Sequence, residues 1–291
     1  VDAFKPITPV VPVFFLIAAG FLLAKWKEIP LKPLTEFIVF LTTPSLIFTS
    51  LARRPLNFAD IAAIFAGAVG ILAGVGVLIW IYFFLFRFRS RGFALPVLFM
   101  NAGNIGIPLA LFALGEPGMQ RATLYFVVAT LIHNTFGIYL LNARDGWKEI
   151  FRLPLIYASV AGLVFNIGKV PVPDLVFEPL RMLGSSTIPL MLVSLGYRLN
   201  DMKSVTWGHS LGGALIRIFG GFTAGYAVVT LLDLDGINRQ IILLYGSLPS
   251  AVVNFVLTEK YNQDPQLAAS IILLTTLISV VTIPLVLWLI L

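Results

Sequence analysis

The chain has 291 residues, a mean hydropathy of +0.95, 58% hydrophobic residues and only 12% charged ones. A soluble domain carries about 25% charged residues, so this chain cannot coat a water-facing surface and is read as an all-α polytopic integral membrane protein. The formal charge of +6 does not point to nucleic acid, because the basic residues sit at the ends of apolar runs, and the absence of cysteine removes disulfides, thiolate metal sites and cysteine nucleophiles.

In chain order, apolar runs predict ten spans at 7–26, 32–51, 58–86, 92–115, 118–142, 153–168, 174–199, 207–232, 237–260 and 265–291. The runs are continuous rather than alternating, which excludes an outer-membrane barrel. The first run is too long for a signal-peptide core and lacks a small-residue cleavage site, so it is read as a span. The polar stretch ARDGWKEIFRLP divides the chain into a first repeat of five spans (1–142), a cytoplasmic linker (143–152) and a second repeat (153–291).

Lys25, Lys27, Lys32, Arg87, Arg89, Arg91, Arg144, Lys148, Arg152, Arg198, Lys203 and Lys260 fall on one side of the membrane. Lys5, Arg53, Arg54, Arg121, Lys169, Arg181 and Arg239 fall on the other. The richer side is predicted to be cytoplasmic, which puts both termini outside an inner cell membrane.

The halves resemble each other. ATLYFVVATLIHNTFGIYLL (122–141) aligns with AASIILLTTLISVVTIPLVL (268–287), and TTPSLIFTSLARRPL aligns with TIPLMLVSLGYRL, setting Pro44 opposite Pro189. Each half has an odd number of spans, so the second enters the membrane from the opposite face and the repeats are inverted.

The fourth span carries NAGNIGIPLALF, which is polar and proline-broken where lipid demands a closed helix. Proline removes a backbone donor, and Gly103 and Gly106 loosen the same turns. Interrupted backbone at membrane depth survives only inside protein or along a watery cavity. The ninth span has a matching interruption, LLYGSLPSAVVNF. Paired broken helices in corresponding positions mark a transporter site, and helix amino termini there suit an anion. Spacing places Asn101 with Asn104 on one face, Ser247, Ser250 and Asn254 on another, and Thr130, His133 and Asn134 on a third.

The N-x-G-N-x-G-x-P-L motif from Asn101 to Leu109, the PSLIF run of span 2 and the LAASIILLTTL ending resemble the auxin efflux carrier family, over essentially the whole chain. The long central hydrophilic loop of the longer plant carriers is missing, so the chain resembles a compact prokaryotic-type member. The resemblance implies spans 4 and 9 crossing at their breaks, as in the similar sodium/bile-acid cotransporter fold. It also implies a scaffold of spans 1, 2, 6 and 7, a transport domain of spans 3–5 and 8–10, and an elevator movement between them. A homodimer through the scaffold is compatible with it.

The expected activity is secondary or potential-driven transport of small organic acid anions, either auxin-like monocarboxylates or malonate- and malate-like dicarboxylates. The alternatives are a sodium-coupled symporter, an anion channel, a binding receptor and an intramembrane hydrolase, the last lacking any motif that links a serine to His133. Expected substrate residues are Asn101, Gly103, Asn104 and Pro108 of span 4 with Pro249, Ser250 and Asn254 of span 9. Pro44, Ser45 and Pro189 are read either as the scaffold side of the site or as plain helix kinks. Thr130, His133, Asn134 and Arg217 are candidates for ion or proton coupling. His133 is read as a proton relay or as a hydrogen-bonded packing group, and Arg217 as a partner for a bound anion or for a carbonyl. No cofactor or metal site is expected. The coupling ion (Na+, H+ or none) and the direction of transport stay open.

Overall fold

The computed structural model describes residues 6–141, 151–202 and 205–291. Lys5, Arg144, Lys148, Lys203 and most of the expected linker 143–152 lie outside the described residues. All regular structure among the described residues is helical, apart from one isolated antiparallel bridge between Met100 and Ser250.

The helices are α1 (Val10–Trp26), α2 (Leu31–Ala52), α3 (Phe58–Phe86), α4 (Arg91–Leu98), α5 (Ala102–Leu140), α6 (Pro154–Ile167), α7 (Asp174–Leu199), α8 (His209–Leu231), α9 (Gly236–Gly246), α10 (Val253–Lys260) and α11 (Pro265–Ile290). Among the described residues, α2, α3, α5, α8 and α11 are long and apolar enough to cross a bilayer. Large side chains such as Phe15, Phe65, Trp80, Leu175, Leu231 and Trp288 point outward. That surface needs lipid as its solvent.

Local chemistry sets the helix ends. Asn57 accepts from the Asp60 amide at 2.6 Å and the Asp60 carboxylate reaches back to the Asn57 amide, a capping box that starts α3. Ser90 caps α4, and Pro154 and Pro265 open α6 and α11, where their missing amides cost nothing. At Gly115, φ is +68°, so α5 divides there into two arms, residues 102–114 and 116–140. Only glycine adopts that backbone without strain.

Among the described residues, a wide π turn opens α5 at Ala102–Gly106, and three more interrupt the longer helices at Ile38–Thr42, His133–Gly137 and Ile216–Gly220. Each extra residue in the turn re-aims the side chains beside it, and such turns concentrate at functional positions. The turn at Ile38–Thr42 precedes Pro44, whose ring cannot sit against a regular preceding turn.

Packing sorts the helices into two groups. Helix α1 lies on α7, and α2 lies on α6 and α7. A Cβ on Gly20 would stand 2.0 Å from the Val193 carbonyl oxygen, and one on Gly196 would stand 1.8 Å from that of Ile17, so α1 and α7 touch backbone to backbone. Asn166 of α6 ties off the end of α2: its Nδ2 donates to the Leu51 carbonyl at 2.6 Å and to that of Arg54, while its Oδ1 accepts from the Leu56 amide at 3.1 Å. In the second group α3 packs on α8, α8 on α9 and α11, and α11 on α4. The groups meet where α7 lies against residues 102–106 and α2 against α5.

Candidate functional site

Two interruptions meet at the centre of the molecule. The chain leaves α4 at Leu98 and re-enters a helix at Ala102, and it leaves α9 at Gly246 and re-enters at Val253. The two extended pieces are each other's hydrogen-bond partners. The Asn101 amide donates to the Pro249 carbonyl at 2.7 Å, and the Ala251 amide donates to the Phe99 carbonyl at 3.1 Å. In this way the irregular backbone satisfies itself away from lipid.

Side chains complete the junction. Asn101 is the cap of α5, not a member of its face. Its Oδ1 accepts from the Asn104 amide at 3.1 Å, while its Nδ2 is buried and has no partner among the described residues. This corrects the expectation that Asn101 and Asn104 share a helical face, because the helix begins between them. The Asn104 side chain is half-buried. Gly103 is forced by the Phe126 ring, whose edge would lie 2.8 Å from a Cβ there. Pro108 is buried one turn further on and has no amide to offer the Asn104 carbonyl.

The expected face of Ser247, Ser250 and Asn254 is also corrected, since residues 247–252 are not helical. Ser247 turns back to the Leu244 carbonyl. The Ser250 amide donates to Thr275 Oγ1 at 3.1 Å. Asn254 is the hub: its Nδ2 donates to the Phe99 carbonyl at 2.9 Å and to Ser250 Oγ at 3.3 Å. Its Oδ1 therefore faces His133 Nε2 at 2.9 Å and accepts from it, which fixes the Nε2–H form of the ring. The His133 ring also rests on Phe99, with centroids 4.4 Å apart. Thus His133 has a packing and hydrogen-bonding partner inside the junction. Asn134 does not join it, and donates instead to the Thr130 carbonyl in its own helix.

Arg217 is fully buried on α8. Its Nη1 donates to the carbonyls of Val97 at 3.1 Å and Leu98 at 3.0 Å, and its Nη2 donates to that of Gly246 at 2.9 Å. These are the last carbonyls of α4 and α9, left without amides by the two interruptions. Of the readings open for Arg217 in the sequence, the carbonyl partner is the one observed.

Pro44 is half-buried, Ser45 is buried and donates to the Leu41 carbonyl, and Pro189 is exposed. None of the three has a polar contact with the junction. Sequence reasoning missed Tyr245, Thr275 and Gly221. The Tyr245 hydroxyl lies 3.1 Å from the Ala102 carbonyl and 3.2 Å from that of Ala122, and donates to one of them. A Cβ on Gly221 would stand 2.1 Å from Arg217 Nη2 and 2.2 Å from the Gly246 carbonyl oxygen. The only signal for it in sequence was the glycine pair at 220–221, one turn after the arginine.

Apolar helices with two opposed interruptions, joined by buried amides, define a multi-pass membrane protein with a polar centre. The family model described as membrane transport protein matches residues 6–150 and 141–287. The chain belongs to that family, which is the auxin efflux carrier family, and is a membrane transporter. It is similar to an uncharacterized transporter of Methanocaldococcus jannaschii, with 26% identity over 98% of this chain and 99% of the relative. It is 27% identical to a Rhizobium meliloti protein provisionally named a malonate transporter, over 94% of this chain and 92% of that one. Auxin efflux carrier component 6 of Arabidopsis thaliana is 27% identical over 61% of this chain and 30% of its own length.

Proposed function

We propose that the chain is a secondary carrier of small organic acid anions and that the carboxylate binds at the junction, against the amino ends of α5 and α10. The observation that carries this reading is the sorting of helix ends. The carboxyl ends of α4 and α9 already have their cation in Arg217. Among the described residues, the amino ends of α5 and α10 have no such charged partner. The amides of Ala102, Asn104, Asn254 and Phe255 already have acceptors in Met100, Asn101, Ala251 and Val252, so what these ends offer a carboxylate is the positive end of each helix dipole. The unpartnered Nδ2 of Asn101 and the half-buried amide of Asn104 add side-chain donors beside them.

The proposed membrane arrangement is ten spans in two inverted sets of five. The interrupted spans are α4 with the first arm of α5, and α9 with α10. The two packing groups support a scaffold of α1, α2, α6 and α7 and a mobile unit formed by the remaining helices, moving as an elevator. The excess of Lys and Arg around Lys25, Arg87 and Arg198 supports a cytoplasmic side there, with the termini outside an inner membrane. The names of the relatives direct the choice of substrate towards malonate-like dicarboxylates and auxin-like monocarboxylates.

The test is a comparison of acids with their neutral amides. Malonate or indole-acetate should raise the unfolding temperature of the purified protein in a saturable way, and malonamide or indole-acetamide should not. Equal stabilisation by acid and amide would contradict a site built for carboxylate.

A further inference from the structure

An interrupted membrane helix leaves a specific electrostatic debt at the end of its first half. The last carbonyls have no amide donors, and the peptide dipoles there point their negative ends at one another. In carriers built from broken helices, unwound carbonyls and the carboxyl ends of half-helices are where coupling cations bind. In this chain both such ends converge on one side chain. Arg217 donates to Val97 and Leu98 at the end of α4 and to Gly246 at the end of α9, at distances of 2.9 to 3.1 Å.

Three features show that the position is built for it. The guanidinium is completely buried, so it does not reach out to water. Among the described residues all three of its hydrogen-bond partners are uncharged carbonyls, its buried Nε has none, and no carboxylate pairs with it. The backbone is shaped around it: Arg217 sits in the wide turn Ile216–Gly220, and Gly221 leaves the space that Nη2 occupies.

We propose that Arg217 is a tethered cation that occupies the carbonyl site a coupling Na+ would otherwise fill, so that this carrier binds its anion and moves without sodium. The inference rests on the carrier reading above, and deepens it by assigning the coupling site. Removing the side chain should open a carbonyl-lined site for a small monovalent cation.

The experiment follows unfolding temperature in detergent, in NaCl and in choline chloride at equal ionic strength, for the intact chain and for Arg217→Ala and Arg217→Lys. The intact chain and Arg217→Lys, which keeps a tethered charge, should unfold at the same temperature in both salts. Arg217→Ala should unfold early in choline and recover with sodium, by roughly 3 °C or more at tenfold over its dissociation constant. Saturable stabilisation of the intact chain by sodium, or a folded Arg217→Ala indifferent to sodium, would overturn the proposal. If Arg217→Ala does not fold in either salt, sodium sensitivity of Arg217→Lys or of the intact chain still overturns it, and its absence in both supports it. This readout needs no organic substrate. Failure of acids to bind a sodium-indifferent protein would therefore count against the carrier reading and not against the tethered cation.

Discussion

The amide of Asn101 donates to the carbonyl of Pro249 across 2.7 Å, so the break in one helix is the hydrogen-bond partner of the break in the other. Neither interruption is self-sufficient. Each exposes backbone groups that hydrocarbon would penalise by several kcal/mol, and each supplies what the other lacks. The junction is therefore a single structural unit assembled from residues about 150 positions apart.

Within that unit, Asn101 and Asn104 have separable roles. Asn101→Ala removes the cap on the Asn104 amide and should lower stability by about 1 kcal/mol as well as weakening anion binding. The Asn104 side chain has no hydrogen-bond partner among the described residues, so Asn104→Ala should unfold at the same temperature as the intact chain and still lose tenfold or more in anion affinity. Thermal unfolding with and without malonate separates the two. Normal affinity in Asn104→Ala would remove that residue from the site.

His133 should behave as a donor to Asn254. His133→Gln keeps an N–H and should preserve fold, transport and the pH profile. His133→Leu leaves Asn254 Oδ1 buried without its donor and should cost about 1–3 kcal/mol. Uptake against pH in proteoliposomes checks this, and a flattened profile in His133→Gln would identify a proton relay instead.

Gly221 should tolerate no side chain. Gly221→Ala puts a methyl group into the space shared by Arg217 Nη2 and the Gly246 carbonyl, and should destabilise by about 1–3 kcal/mol. Denaturation of the purified variant measures it, and an unchanged midpoint would mean that α8 and α9 are not in contact there.

Gly196→Val should separate α1 from α7, because its side chain would run into the Ile17 carbonyl. The expected cost is again about 1–3 kcal/mol. Anion affinity of the protein that remains folded should be unchanged, since this contact lies within the other group of helices. A selective loss of affinity at normal stability would contradict that division.

The helix breaks were legible from chemistry local in sequence. Glycine and proline inside an apolar run announce an interruption wherever the rest of the fold lies, and NAGNIGIP and SLPS both produced one. The boundary near 115–118 was legible for the same reason, through Gly115 and Pro117. The alignment of side chains around the breaks was not. Regular helical spacing placed Asn101 beside Asn104 and Ser247 on one face with Ser250 and Asn254. Ser250 and Asn254 do meet, but Ser247 turns back to Leu244 and Asn101 becomes a cap, because a break is where that spacing stops applying. That Arg217 pairs with a carbonyl was one of the readings open in the sequence, but which carbonyls it meets was not legible, because every residue has one. The His133–Asn254 contact joins polar residues from two helices, and nothing in either segment specifies the other.

The most direct test of the account is charge movement in proteoliposomes on a solid-supported membrane, with malonate, malate, indole-acetate and a neutral amide, for the intact chain and Asn104→Ala. The account predicts sustained current with at least one acid, none with the amide, no requirement for sodium, and loss of the current in Asn104→Ala. Equal signals from acid and amide, or no flux of any acid in labelled counterflow by folded intact protein, would contradict an anion carrier whose site is the junction of the two broken helices.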